Sequence, residues 1–293
     1  MGCIHVITGL QRTGKTFYCA YLAQLFANDS AVLDDCYREI DKFNSMGFHF
    51  SKPITPIFAD FDLEIHRMFQ KPAKAYYVNG FYLGLPVEIY KKDKVTKQDI
   101  IAFRTMLLPP GAKIILDEGN KYFDSQDDDI MPAFRKRWIE LMGQFKQELF
   151  LVSHRPMMVS KKVRDYADFT IFLNTQFSYD ALGNIVLAKM QYRHLETFQQ
   201  MEAFLKNGIL PPGNEIQTLT IDCTLPCFNV PKYYDTQFFE KLFLKGAKNK
   251  DFDLKLREYQ CTCPEDIDKF CKLFNYQVPK EIYSLKKGEK NGK

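Results

Sequence analysis

The sequence predicts an α/β fold in which a mainly parallel sheet is flanked by helices, and three observations lead there. The apolar run Ile4-His5-Val6-Ile7 feeds directly into Gly9-Leu10-Gln11-Arg12-Thr13-Gly14-Lys15-Thr16, a turn of the form Gly-x4-Gly-Lys-Thr, and a helical pattern starts at once behind it. A second apolar run, Ala112-Lys113-Ile114-Ile115-Leu116, ends in Asp117-Glu118, and a third, Glu148-Leu149-Phe150-Leu151-Val152, ends in Ser153-His154-Arg155. Unbroken apolar runs with polar residues at their C-terminal tips suit buried parallel strands, because ligands of such sheets gather beyond the carboxyl ends of the strands.

The first element carries the chemistry. A phosphate cradle needs a strand that stops sharply, glycines that turn backbone N–H groups inward, and a helix whose N-terminus faces the anion. The segment Thr16 to Ala27 lacks Gly and Pro, repeats apolar residues at spacings of three and four, and stops at Asn28-Asp29-Ser30. Gly9, Gln11, Arg12, Thr13, Gly14, Lys15, Thr16 and Phe17 are therefore the expected nucleotide contacts. Lys15 is expected against the β- and γ-phosphates of ATP, and the Thr16 hydroxyl on Mg²⁺. At the second strand tip Asp117 is expected to hold the metal opposite Thr16, while Glu118 orients the attacking water. Ser153, His154 and Arg155 stand where a γ-phosphate could be sensed. His154 reads equally as a packing histidine, and Arg155 is expected to pair with Asp117 or Glu118 when nucleotide is absent.

Between these motifs the pattern is thinner. A short strand is centred on Ile57 to Ala59, with Pro53 and Pro56 at its entry or on an edge. Tyr76 to Leu83 reads as an inserted β-hairpin turning at Asn79-Gly80. A helix capped by Thr96 is expected through about Leu108, stopped by Pro109-Pro110-Gly111, and another from Ile130 to Lys146. A helix around Val159 to Tyr166 precedes the strand Phe169 to Leu173, and a hairpin turning near Leu182-Gly183-Asn184 closes the domain. The expected organisation is a nucleotide-binding domain over residues 1–200 with an insertion near 63–100, a small appendage over 201–285, and a disordered tail over 286–293.

At 293 residues and 46% hydrophobic composition the chain can bury a sizeable core, and a net charge of +4 permits a nucleic-acid partner without requiring one. No apolar run approaches the roughly 18 residues needed to cross a bilayer. Eight cysteines are scattered, and Cys3 and Cys19 flank the phosphate loop, so the expected setting is a reducing cytoplasm, at most peripheral to a membrane. Cys223, Cys227, Cys261, Cys263 and Cys271 read as ordinary thiols rather than a zinc site, since their spacing is not Cys-x2-Cys and Pro226 crowds the first pair.

Taken together, the phosphate loop, Ile-Ile-Leu-Asp-Glu-Gly-Asn-Lys-Tyr-Phe from Ile114 to Phe123, Phe150 to Pro156, and Val163 to Asp168 resemble the Zot-like (zonula occludens toxin domain) ATPases of filamentous phages and mobile elements, relatives of the FtsK/HerA translocases. The resemblance covers roughly residues 1–175. It implies an ASCE-type P-loop NTPase sheet, in which one strand separates the acid strand from the phosphate-loop strand. It also implies phosphate and Mg²⁺ binding by Gly9, Gly14, Lys15 and Thr16, metal and water roles for Asp117 and Glu118, and a sensor near Ser153. In two respects the chain departs from the family: no membrane-spanning segment follows the ATPase region, and Ser153 and His154 stand where Gln is common. The resulting expectation is a homo-oligomeric ATP-hydrolysing motor for DNA packaging, DNA translocation or virion assembly. Its partners would be DNA and phage or mobile-element assembly proteins, and a neighbour's Arg104, Arg135, Arg137 or Arg164 would supply a transition-state cation. A small-molecule or nucleotide kinase and a nucleotide-gated scaffold are the alternative readings.

Overall fold

A computed structural model describes residues 3–67, 73–78, 86–92, 99–105, 108–127, 133–208, 214–225, 228–230 and 234–235. β1 (Ile4–Gly9) runs into the phosphate loop and α1 (Lys15–Asn28), which ends where the sequence places its end. Asp29 then accepts the Ala31 N–H at 2.9 Å and caps α2 (Ser30–Ser45), a helix missed in the sequence. β2 (Ile57–Ala59), β3 (Asp62–Ile65), β4 (Ala73–Lys74) and β5 (Tyr76–Tyr77) follow. Next come β6 (Pro86–Lys92), β7 (Asp99–Thr105) and β8 (Lys113–Leu116), then α3 (Ala133–Leu141), β9 (Glu148–Val152) and α4 (Lys161–Arg164). The described chain finishes with β10 (Ala167–Tyr179), β11 (Ile185–Leu195), α5 (Phe198–Asn207), β12 (Gln217–Asp222) and β13 (Tyr234–Asp235).

Eight strands form the main sheet in the order β12-β11-β10-β1-β9-β8-β2-β5. The six from β10 to β5 are parallel, and β11 and β12 continue the sheet antiparallel to their neighbours. β9 separates the acid strand β8 from the phosphate-loop strand β1, the arrangement that the motif resemblance implies.

Alternation along the strands sends neighbouring residues to opposite faces, and each face has its own cover. Ile7, Ile115, Phe150 and Val152 pack with Phe17, Ala20 and Ala23 of α1. Val6, Ile114, Leu116, Leu149 and Leu151 pack with Cys36, Ile40 and Phe43 of α2 and with Trp138 of α3. Gln24, fully buried in α1, is satisfied by bracketing the end of β3: its amide donates to Glu64 O at 2.6 Å and its carbonyl accepts the His66 N–H at 2.9 Å.

Four expectations need correction. Residues 99–105, expected within a helix over 96–108, form β7, which pairs from Lys92↔Asp99 to Pro86↔Thr105 with β6. β-Branched Ile100, Ile101 and Thr105 suit a ladder better than a helix once a partner strand is present. Tyr76–Tyr77 is not a hairpin arm but the edge strand, parallel to β2, and Asn79-Gly80 lies outside the described residues. The inserted hairpin is β6–β7. α3 is shorter than the expected Ile130–Lys146 span; turns follow it through Gly143 to Lys146, which has φ 52°. Finally, the sheet does not close near residue 200, because β12 pairs along β11 from Leu187↔Asp222 to Tyr192↔Gln217. The expected tail, Cys227, Cys261, Cys263 and Cys271 lie outside the described residues.

Candidate nucleotide site

Gly9 ends β1 at φ 137°, and a Cβ there would lie 2.3 Å from the Phe172 carbonyl oxygen of β10. Only glycine lets the strand end this close to its neighbour. The loop turns through Arg12, at φ 61°, and Thr13, whose hydroxyl donates to Leu10 O at 2.8 Å. Gly14 then opens α1 at φ 83°, with Thr175 Oγ1 and Met190 Cε within 3 Å of where a Cβ would stand. Across the loop the Thr175 hydroxyl donates to Thr13 O at 2.7 Å.

Lys15 is buried and curls back over the loop, donating to Gly9 O at 3.0 Å and Leu10 O at 2.7 Å. Burial lowers its pKa and nearby Asp117 opposes the shift. Thr16 points the other way. Its hydroxyl donates to Asp117 Oδ1 at 3.2 Å, joining the helix start to the tip of β8 although 101 residues separate the two in sequence. Burial raises the Asp117 pKa, and the Thr16 hydrogen bond opposes this.

Glu118 follows in the left-handed region at φ 51°, with its N–H donating to Asp117 Oδ1 at 3.2 Å and its carboxylate paired with Lys121. The turn is braced by a residue given no role in the sequence reading. Asp60, 8% exposed at the end of β2, accepts the Asp117 N–H at 2.8 Å and also bonds the Tyr122 side chain. Burial pushes its carboxyl up to about 8. The available signal was an acid just beyond a short buried strand; that this strand lies beside the acid strand is seen only in the fold.

Ser153 stands at the tip of β9, with its N–H on Ile7 O at 2.9 Å and its hydroxyl donating to Arg155 O at 2.9 Å. Ser153 and the exposed His154 line one side of a cavity of about 350 Å³ shared with Arg12, Lys15, Thr16, Asp117 and Glu118. Gly14, Phe17 and, unforeseen, Phe177 of β10 line it as well. Gln11 is exposed at the loop and outside this lining. Arg155 is a correction: it is exposed, outside the cavity, and Glu118 pairs with Lys121 instead. Of the arginines expected to act on a neighbour, Arg164 lies over the Phe198 ring at 4.4 Å, and the side chains of Arg104, Arg135 and Arg137 lie outside the described residues.

No protein-family model matches the chain, and no curated protein matches it either. Among solved structures, the N-terminal domain of zonular occludens toxin from Neisseria meningitidis is 12% identical with a TM-score of 0.43, covering 80% of this chain and 100% of that one. The chain is similar to a Zot domain. The genome packaging NTPase B204 from Sulfolobus turreted icosahedral virus 2, in complex with ATP-gammaS, is 11% identical with a TM-score of 0.31, covering 74% of this chain and 98% of that one. The same NTPase in complex with AMPPCP is 10% identical with a TM-score of 0.32, at the same coverage. All are distant in sequence. Among the described residues no helix is long and apolar enough to cross a membrane, and no cluster of three or more His, Cys, Asp or Glu side chains is placed to hold a metal.

Proposed function

We propose that the chain is an ATPase whose turnover drives DNA movement or virion assembly in an oligomer. The observation that carries the hydrolytic part is the Thr16–Asp117 hydrogen bond at 3.2 Å, made across the intervening strand β9. It brings a hydroxyl and a carboxylate, both oxygen donors suited to Mg²⁺, to the mouth of a glycine-formed loop. Bound there, Mg²⁺ would neutralise charge on the β- and γ-phosphate oxygens.

The protein's part is positioning. Loop N–H groups hold the phosphates, and Lys15 exchanges the Gly9 and Leu10 carbonyls for phosphate oxygens. Glu118 orients a water in line with the γ-phosphorus and accepts its proton, while the bond from that phosphorus to the bridging oxygen breaks and ADP carries the oxygen away. The Lys121 partner of Glu118 is no obstacle: both side chains are about half exposed, and such pairs are worth at most about 1 kcal/mol. Ser153 and His154 flank the γ-phosphate end.

The DNA or virion role rests on the resemblance of the phosphate loop, the Ile114–Phe123 motif and the Phe150–Pro156 motif to Zot-like ATPases. Phosphate release from ATP, with and without single- or double-stranded DNA, together with sizing in the presence of ATP, tests it. DNA-stimulated turnover and an ATP-dependent larger species are expected. A monomer that turns over only with a small phosphate acceptor would contradict the reading and favour a kinase.

A further inference from the structure

The cavity over the phosphate loop has two chemically different sides. Toward β9 and β8 it offers Ser153, His154, Asp117 and Glu118, all suited to phosphate, metal or water. Toward β10 it offers an aromatic ring. Thr175 and Phe177 occupy the same face of β10, two residues apart, and Thr175 holds the loop through Thr13 O. Phe177 is half-buried and stands edge-on to Phe17, the first residue after Gly-Lys-Thr, with centroids 5.4 Å apart and planes inclined 70°. Its cross-strand partner is the fully buried Ala188, so one side of the ring rests on the core beneath the β10–β11 hairpin.

A π-surface does nothing for a triphosphate, but beside a phosphate cradle it suits a flat heterocycle. We infer that Phe177 is the stacking platform for the base of the bound nucleoside triphosphate, with base and metal on opposite sides of the loop. Phe17 sets the ring's tilt through their edge-on contact, and Arg12, in the same lining, adds a cation beside the ribose and base. The long β10–β11 hairpin thereby acquires a task in nucleotide recognition besides supporting Gly14 through Thr175 and Met190.

This inference rests on the nucleotide-binding reading above, and two probes separate the two claims. The full-length chain is titrated calorimetrically with ATP and with inorganic tripolyphosphate, which has the phosphates and no base. Phe177→Leu keeps an apolar group against Phe17 and removes the ring; it is expected to weaken ATP about tenfold, the lower part of what base–aromatic stacking contributes. Tripolyphosphate affinity should stay within about twofold, and Phe177→Trp should keep ATP affinity. Equal weakening of both probes by Phe177→Leu would mean that Phe177 only supports the loop, and no weakening of either would mean that the base lies elsewhere; both results overturn the inference and leave the nucleotide reading intact. A wild-type chain that binds neither probe would overturn the nucleotide reading and this inference with it.

Discussion

Asp60 Oδ1 accepts the backbone N–H of Asp117 at 2.8 Å, so a buried carboxyl at the tip of β2 holds the turn that aims the two acids of β8. Asp60 touches none of the loop residues by hydrogen bond; its effect on chemistry runs through the orientation of Asp117 toward Thr16. Replacement by Ala leaves the Asp117 N–H without its partner, at a cost of about 1–3 kcal/mol. Asp60→Ala is therefore expected to lower both the melting temperature and the Mg²⁺-dependent turnover, with Asp60→Asn, which keeps an acceptor oxygen, recovering much of each. Equal turnover in wild type and Asp60→Ala would remove the brace from the account.

The same carboxyl predicts a pH dependence of stability. Its folded value of about 8 lies above the usual aspartate range, so between those limits the folded chain holds a proton that the unfolded chain has released. This contribution is fully present at low pH, below the unfolded value, and is lost as pH rises through about 8. Thermal melts in chelator-treated buffer at about pH 5 and pH 8 should show a smaller difference for Asp60→Asn than for wild type. An unchanged difference would place the titration elsewhere.

Glu118 occupies a left-handed backbone position that costs a side-chain-bearing residue about 1–2 kcal/mol and glycine almost nothing. Glu118→Gly is expected to lose turnover while its stability stays within about 1 kcal/mol of wild type or rises above it. That combination distinguishes a residue kept for chemistry from one kept for folding, and a clearly destabilised, fully active variant would reverse the conclusion.

At Gly9 the constraint comes from a neighbouring strand. A methyl group would meet the Phe172 carbonyl at 2.3 Å, a backbone atom that cannot rotate aside. Gly9→Ala should abolish ATP binding and markedly lower the melting temperature, measured on the same preparation by calorimetry and thermal denaturation. Wild-type binding by this variant would show that the strand end and loop can separate.

The strands that position the chemistry were legible because each is an apolar run closed by polar residues: Ile4–Gly9, Lys113–Leu116 and Glu148–Val152 all stand where the motifs place them. α2 was missed although Asp29 caps it and Cys36, Ile40 and Phe43 stand at the i, i+4, i+7 spacing of an amphipathic helix, because that thin apolar stripe is set among many charges. The helix read over residues 96–108 failed because a local cap and a proline stop were visible, whereas the partner strand β6, immediately upstream, was not read as a strand. Asp117 and Glu118 announced themselves by position. Asp60 and Phe177 did not, since their parts depend on which strand tip neighbours which, and no local pattern records that β2 lies beside β8 or that β10 lies beside β1.

The central claim, that loop and acid strand form one hydrolytic site, is tested most directly by ATP binding and phosphate release measured side by side on wild type, Lys15→Ala and Glu118→Gln. The account predicts Mg²⁺-dependent turnover in wild type, loss of nucleotide binding or turnover in Lys15→Ala, and ATP binding without turnover in Glu118→Gln. Phosphate release by Glu118→Gln at the wild-type rate would contradict it.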